Sequence, residues 1–401
     1  RVGPGWVLCT SVGARGFPVD SLKRTLYGYA GARPILKLVG PWGTNMSNSG
    51  FAASSVDPSD TQDEELIGMD LLRACEAAAL NVFHWIGKGD KNAADAAATD
   101  ALRGMLNLTD MCGTCTIGEG IKDEAPGIFI GEKLGTWRAG SPVVSIAVDP
   151  IDGTTLTSKG LPGALAVIAA AKASGEDHRT LAAIPSFYVE KIAVGPRVKE
   201  GTGMVRLGAP VDQNLEIIAL KLGKRVRDLI VCVLDRPRHE KLINDIRRTG
   251  AAIRLIGDGD VSAAIAPSIP ESNVDVYMGS GGSPEAVLAA AAIRCLGGEI
   301  LARMWPRDEH ERKQLEADGY GELMKKIFTT ADMAVGDDVV FVATGITDNS
   351  LLHGVAVREH IATTYSVVMR AHSRTVRYVK AYHDLTRKTI HLASTSRHEH
   401  L

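Results

Sequence analysis

The chain has no apolar run approaching the roughly 20 residues that a membrane-spanning helix requires. Its longest candidates are Leu165 to Ala171 and Ala286 to Ile293, so no membrane association is expected. It also lacks an excess of charge of either sign, with 45 Lys and Arg against 47 Asp and Glu and a net charge of −2. A protein that grips nucleic-acid phosphates normally carries a clustered basic surplus, so no nucleic-acid partner is expected. Cysteines are few: Cys9, Cys75, Cys112, Cys115, Cys232 and Cys295 are all there are in 401 residues, which excludes a disulfide framework. No second Cys or His pair stands at zinc-ligand spacing beside Cys112-Gly-Thr-Cys115. The eleven histidines are scattered, His391, His398 and His400 in the tail among them, and form no ligand pair inside a structured motif. No compact apolar segment precedes a small-residue cleavage site, which disfavours a secretory signal.

What is present is an ordinary globular composition, 45% hydrophobic, in a chain long enough for two domains or one large layered one. Residues 1 to 50 hold Arg1, Arg15, Lys23, Arg24, Arg33 and Lys37 against the single acid Asp20. Such an acid-poor head, rich in Gly, Ser and Ala, reads as an organelle transit segment or a disordered extension. It suggests a plastid destination, with a cytoplasmic one as the alternative. Leu66, Met69, Leu72, Ala77, Leu80 and Phe83 recur at helical steps and predict a helix over Asp63 to Trp85. A second helix is predicted from an Asn92 cap to about Leu106. Strands are expected at Cys115 to Gly118, Val143 to Val148, Leu165 to Ala170 and Lys191 to Val194. From Leu229 onward strands and helices alternate: strand Leu229 to Leu234, helix His239 to Thr249, strand Ala252 to Ile256, helix Val261 to Ile265, strand Val274 to Met278 and helix Pro284 to Leu296. That alternation implies an α/β layer, and Val339 to Thr344 and Tyr365 to Met369 read as late strands of the same half. A boundary is placed between residues 222 and 228.

The most informative segment is Asp149-Pro-Ile-Asp152-Gly-Thr154-Thr155, at the end of an apolar strand. It turns two carboxylates and a hydroxyl out of a strand end, as a magnesium-assisted phosphoryl-transfer site requires. A polar strand-to-helix turn with an N-capping Asp explains the same residues. Gly118-Glu119-Gly120 ends the preceding strand, with Asp123 and Glu124 just beyond; glycines on both sides of Glu119 permit close approach to a ligand. Asp95 lies on the second helix, where a carboxylate at N3 after Asn92 also suits the helix dipole. Gly281-Gly282-Ser283-Pro284-Glu285 is an ordinary helix start, and equally a place where N–H groups meet an anion while Glu285 faces a metal. Oxidation at Cys112 and Cys115 would move Glu119; a buried small hydrophobe at Cys115 is the alternative reading.

Taken together, Trp85-Ile-Gly-Lys-Gly-Asp-Lys-Asn-Ala-Ala-Asp95, Ile117-Gly-Glu-Gly, Asp123-Glu-Ala-Pro126, Arg236-Pro-Arg-His239, Asp258-Gly-Asp-Val-Ser-Ala-Ala264 and Gly281-Gly-Ser-Pro-Glu285 resemble class II fructose-1,6-bisphosphatases of the GlpX type, within the lithium-sensitive metal-dependent phosphatases. The resemblance spans about residues 65 to 390 and implies a layered α-β-α-β-α fold with two mixed sheets. With the boundary read above, the chain divides into a head (1–61), a part that the resemblance makes metal-binding and catalytic (62–227), an α/β part that it makes sugar-phosphate-binding (228–390) and a tail (391–401). It implies Mg2+ or Mn2+ held by Asp95, Glu119, Asp149, Asp152 and Glu285, with Lys91 at the same site. Asp123 and Thr154 match the pair that positions and deprotonates the attacking water. Asp152, Gly153, Thr154, Tyr188, Arg236, Pro237, Arg238, Asp258, Asp260 and Gly282 fall where the family holds the sugar bisphosphate. A homodimer or homotetramer is implied, as is a role in gluconeogenesis or the Calvin cycle with sedoheptulose-1,7-bisphosphate as a second substrate.

Three departures stand out: Asp152 replaces the commoner Glu, Arg236 replaces Lys, and the segment after Glu299 is short. Physical chemistry supports the roles independently, since hard cations take oxygen ligands and two fork-shaped guanidinium groups suit a second phosphate. The competing expectations are an inositol- or nucleotide-phosphate phosphatase of the same superfamily, and a non-catalytic sugar-phosphate sensor.

Overall fold

A computed structural model describes residues 58–118, 127–173, 180–200 and 204–396. The acid-poor head, Glu119, Asp123 and the tail histidines His398 and His400 therefore lie outside the described residues. Helices α1 (Pro58–Val82) and α2 (Lys91–Leu106) come first. α1 stops short of the predicted Trp85, and Phe83–Trp85 tighten into a 3-10 turn. The α2 cap is Asp90 rather than Asn92: its carboxylate accepts the N–H of Ala93 at 3.0 Å. Lys91 is then the first helical residue, and Asp95 lies beyond the first turn, too deep for the helix dipole to explain it.

Next come β1 (Cys112–Ile117), β2 (Lys133–Leu134), β3 (Val143–Asp152), α3 (Thr154–Lys159), β4 (Leu165–Lys172), β5 (Tyr188–Val194), α4 (Pro196–Lys199) and α5 (Val211–Leu222). They are followed by β6 (Ile230–Leu234), α6 (Glu240–Thr249), β7 (Ala252–Ile256), α7 (Asp260–Ile265), β8 (Val276–Gly282), α8 (Ser283–Leu296) and β9 (Glu299–Met304). The chain closes with α9 (Glu309–Ala317), α10 (Thr330–Met333), β10 (Val339–Gly345), β11 (Ala356–Arg358), β12 (Ile361–Arg370), β13 (Thr375–Asp384) and α11 (Ala393–Ser396).

Among the described residues the strands form two mixed sheets. The eight-stranded sheet runs β11-β12-β10-β4-β3-β1-β2, with β13 also on β12, and only β1 and β3 are parallel. The five-stranded sheet runs β7-β6-β8-β5-β9, with β6 parallel to both neighbours and β5 antiparallel to both of its own. The two-residue alternation of a strand sorts the core into three layers. Val144, Ile146, Ile168, Val340 and Val342 face α1 and α2. Their neighbours Ala147, Val167, Ala169 and Phe341 face α7 and α8, which also cover Val189, Ala193, Tyr277 and Ile300 of the second sheet. The far side of that sheet, with Ile192, Val231 and Met278, packs on α5 and α6 through Leu215, Ile218, Ile243 and Ile246. This is the expected α-β-α-β-α layering. α8 is buried on nearly every side and rich in alanine, as a helix clasped between two sheets must be.

Strand partnering differs from the sequence reading. β10 and β12 do not join the second half's sheet; β10 pairs with β4 from Val339↔Ala171 to Gly345↔Leu165, and β12 pairs with β10. Conversely β5, from the first half, lies between β8 and β9. Periodicity fixes which face of a strand is buried but says nothing about its neighbour. β4 is apolar on both faces, and it needs a partner on its second edge.

The proposed cysteine switch does not fit the strand. Cys112 and Cys115 are free and three apart on β1, an odd spacing that sends their side chains to opposite faces. Burial pushes the Cys115 thiol up to about 12, far from the thiolate that exchange requires.

Candidate active site

The site begins where β3 stops pairing. Pro150 has no N–H for the ladder, and the register with β4 shifts between Asp149 and Asp152. Asp149 is buried and its Oδ1 accepts the N–H of Ile151 at 2.9 Å. Gly153 then takes φ 97°, a left-handed conformation that suits glycine, and starts α3 without any side-chain cap. Neither Asp of the motif caps that helix. Asp152 turns toward the second half, its Oδ2 accepting the N–H of Val261 in α7 at 3.2 Å.

On the α2 side, the Thr154 hydroxyl lies 3.2 Å from both Asp95 Oδ1 and the Ile151 carbonyl. Lys91 Nζ donates to Thr155 Oγ1 at 2.8 Å. Burial raises the Asp95 pKa, opposed by the Thr154 hydrogen bond and the Lys91 charge. Asp95, Thr154 and Lys91 are thus brought together by α2 and α3, which these two side-chain hydrogen bonds link.

On the other side stand Asp258, Asp260 and Glu285. Burial, then repulsion from Asp260, Glu285 and Asp258, holds the Asp152 carboxyl well above its usual range, against the pull of Lys191. Glu285 is pushed up to about 7, by burial first and Asp260 second. Its Oε2 is buried with no hydrogen-bond partner. The Gly281-Gly282 pair makes room for these groups: a Cβ on Gly281 would collide with Asp260 Oδ2, and one on Gly282 with the Glu285 carboxylate. Asp152 and Glu285, whose proton affinity is raised by burial and by the neighbouring Asp260 and Asp258, and the second of which has an orphaned oxygen, form a site short of positive charge.

The arginines are partly committed. Arg238 donates from Nε to Ser280 Oγ at 3.0 Å and from Nη2 to the Ser280 carbonyl at 2.9 Å, with its guanidinium 4.8 Å above the Tyr188 ring. Arg236 approaches Asp258 at 3.6 Å. Arg236 is extended, but Pro237–His239 form a 3-10 turn, so the two arginines are not both on the extended segment that was expected. Behind them, buried His239 takes the N–H of Ser280 on Nε2 at 2.8 Å, which leaves its Nδ1 hydrogen for the Leu234 carbonyl at 2.7 Å. Burial lowers its pKa, in keeping with a neutral ring.

Among the described residues no three His, Cys, Asp or Glu side chains already stand in one metal-holding group. Asp95 with Thr154 and Asp152 with Glu285 form two neighbouring clusters joined by the Asp149 to Thr154 turn. Four contributors were not singled out from sequence: Lys191, Tyr277, Ser280 and His239. Lys191 left one readable trace, a charge beside Glu190 at the head of the apolar run Ile192 to Val194. A cavity of about 190 Å³ opens beside Arg238, His239 and Ser280. A larger one of about 690 Å³, lined by Asp212, Glu216, Lys241 and Arg248, involves none of the predicted site residues.

Comparison with known proteins identifies the family. A family model described as "Bacterial fructose-1,6-bisphosphatase, glpX-encoded" matches residues 65–383. The chain is 42% identical over 330 residues to the fructose-1,6-bisphosphatase class 2 of Haemophilus influenzae, covering 80% of this chain and 96% of that protein. It is 41% identical over 336 residues to fructose-1,6-bisphosphatase 1 class 2 of Escherichia coli strain K12, covering 80% and 96% respectively. The resemblance first drawn from short motifs thus extends across the whole layered unit, and the chain belongs to the glpX-type, class 2 family of fructose-1,6-bisphosphatases, which are phosphoric monoester hydrolases.

Proposed function

We propose that this chain hydrolyses the 1-phosphate of fructose-1,6-bisphosphate with the help of Mg2+ or Mn2+. The observation that carries the metal is the orphaned Glu285 Oε2 among Asp152, Asp258 and Asp260, a donor set of hard oxygens with too little cationic partnering. Asp95, Glu119, Asp149, Asp152 and Glu285 would hold the ions. Bound there, a divalent cation supplies charge neutralisation for the phosphate and acidifies water.

The chain's own residues do the rest. The Thr154 hydroxyl, held near Asp95, orients the attacking water, and Asp123 takes its proton. Lys91, bonded to Thr155, adds a positive charge at the same rim. Arg236 and Arg238 hold the second phosphate with their remaining donors, Tyr188 and Asp260 hold the sugar, and Gly282 leaves space for it. Retention of five acids at the metal positions and of Thr154 favours an enzyme over a sensor. The test is phosphate release from fructose-1,6-bisphosphate with Mg2+ or Mn2+, with and without a chelator, beside inositol monophosphate and 3′-phosphoadenosine phosphates. Faster release from either of the latter overturns the substrate assignment, and unchanged release under chelation overturns the metal.

We extend the proposal to sedoheptulose-1,7-bisphosphate, assayed in parallel; turnover of the six-carbon substrate alone removes that extension. Assembly as a homodimer or homotetramer is proposed from the family resemblance and is read by light scattering. No described helix is long and apolar enough to cross a membrane. The relatives named above are bacterial, which favours a cytoplasmic, gluconeogenic enzyme over a plastid one in the Calvin cycle. Imaging of the tagged full chain separates the two.

A further inference from the structure

Lys191 is fully buried, a rare state for lysine unless it is paired. Its Nζ lies 2.7 Å from Asp260 Oδ2, 3.4 Å from the Gly282 carbonyl and 5.9 Å from the centre of the Tyr277 ring. The Tyr277 hydroxyl, also buried, lies 3.4 Å from the same Oδ2. Both contacts fall on one oxygen, and Asp260 Oδ1 accepts no hydrogen bond among the described residues. Gly281 is what lets the group close, since a Cβ there would strike Asp260 Oδ2 and lie 3.1 Å from Lys191 Cε. Lys191 comes from β5, Tyr277 and Gly281 from β8 and Asp260 from the start of α7, so three elements converge on a single carboxylate.

We propose that Lys191 and Tyr277 are positioning residues that clamp Asp260 by its Oδ2, so that Oδ1 is presented as a fixed acceptor for a hydroxyl of the sugar. The clamp rests on the bisphosphatase reading for the identity of that sugar. It sets how well the sugar is held and leaves the phosphorus chemistry to the β3 turn. An unclamped Asp260 would swing away from its neighbouring acids, and the hydroxyl would meet a mobile acceptor.

The test uses the full chain with Tyr277→Phe, Lys191→Met, Asp260→Asn and the pairwise doubles. Tyr277→Phe is expected to raise the KM for fructose-1,6-bisphosphate with kcat within about twofold; Lys191→Met is expected to raise KM by about tenfold or more, with kcat also lowered because it removes the cation facing Asp152 and Glu285. Adding either to Asp260→Asn should cost little more, because the clamp has nothing left to hold. Lys191→Met leaves a carboxylate buried without its partner; if that variant does not fold, Tyr277→Phe, which removes one oxygen and no charge, carries the test. A lower thermal midpoint with unchanged KM means a purely structural role and overturns the proposal. So does a fall in kcat at unchanged KM in Tyr277→Phe, or strict additivity with Asp260→Asn. If the wild-type chain releases no phosphate, the proposed function fails and not the clamp, which is then read from the Kd for fructose-1,6-bisphosphate in the same variants; an unchanged Kd in Tyr277→Phe overturns it.

Discussion

Replacing Asp149 by Asn keeps an oxygen for the Ile151 N–H and removes the charge, so turnover should fall by at least about a hundredfold while the fold stays intact. Circular dichroism and phosphate release read both halves of that expectation; near-wild-type turnover at saturating Mg2+ or Mn2+ would sink the site assignment. Gly281→Ala is the complementary case. Its methyl would meet Asp260 and Lys191, and overpacking of this kind costs about 1–3 kcal/mol, visible as a lower unfolding midpoint together with a raised KM. At this scale the sequence was informative where chemistry forces a local signature. Pro150 and Gly153 mark the broken ladder, and Gly281-Gly282 marks the crowded strand end. Lys191 was not legible as a site residue because its partner, Asp260, sits on another element and nothing near it in the chain announces the pairing.

Elements were legible where burial imposes a period and illegible where it does not. α2 and α8 were found nearly to the residue, although the α2 cap was misplaced by two positions because Asp90 and Asn92 are both good caps. Asp90→Ala should therefore lower stability by about 1 kcal/mol and Asn92→Ala by far less, which urea unfolding of the two variants distinguishes. β13 passed unnoticed because its Lys, Arg and exposed Tyr side chains face water at the sheet's edge, so no apolar stripe marks it. α8 makes the opposite prediction. Ala290 is fully buried between the two sheets, and Ala290→Leu should destabilise by about 1–3 kcal/mol, measured as a shift in the unfolding midpoint.

For the whole molecule, acid sensitivity has a source outside the active site. Glu76 of α1 and His383 of β13 are both buried, joined through Thr364 of β12: Thr364 Oγ1 donates to Glu76 Oε1 at 3.1 Å and lies 2.8 Å from His383 Nε2. Burial, aided by Lys388, pushes the His383 pKa from 6.5 down to about 4. Between those values the unfolded chain binds a proton that the folded ring refuses, so stability is lost as pH falls through that window. Glu76 works in the opposite sense, its raised pKa favouring the folded state as acid is added above its ordinary 4.5. His383→Gln should flatten the loss, and equal slopes of thermal midpoint against pH for variant and wild type would refute this.

What no local pattern conveyed is the exchange of strands between the halves, with β5 leaving for the second sheet and β10 to β13 returning to the first. A chain cut at the exposed Gly223–Lys224 junction would yield two pieces that each lack strands of their own sheet. Residues 1–223 would leave the apolar edge of β4 bare, and residues 224–401 would leave β8 and β9 without the strand between them. Neither piece should be soluble alone, yet co-expressed they should zip together and release phosphate, because Asp152 meets Asp260 and Glu285 only across that seam. Phosphate release by the co-expressed pieces would thus report the joining of the two halves.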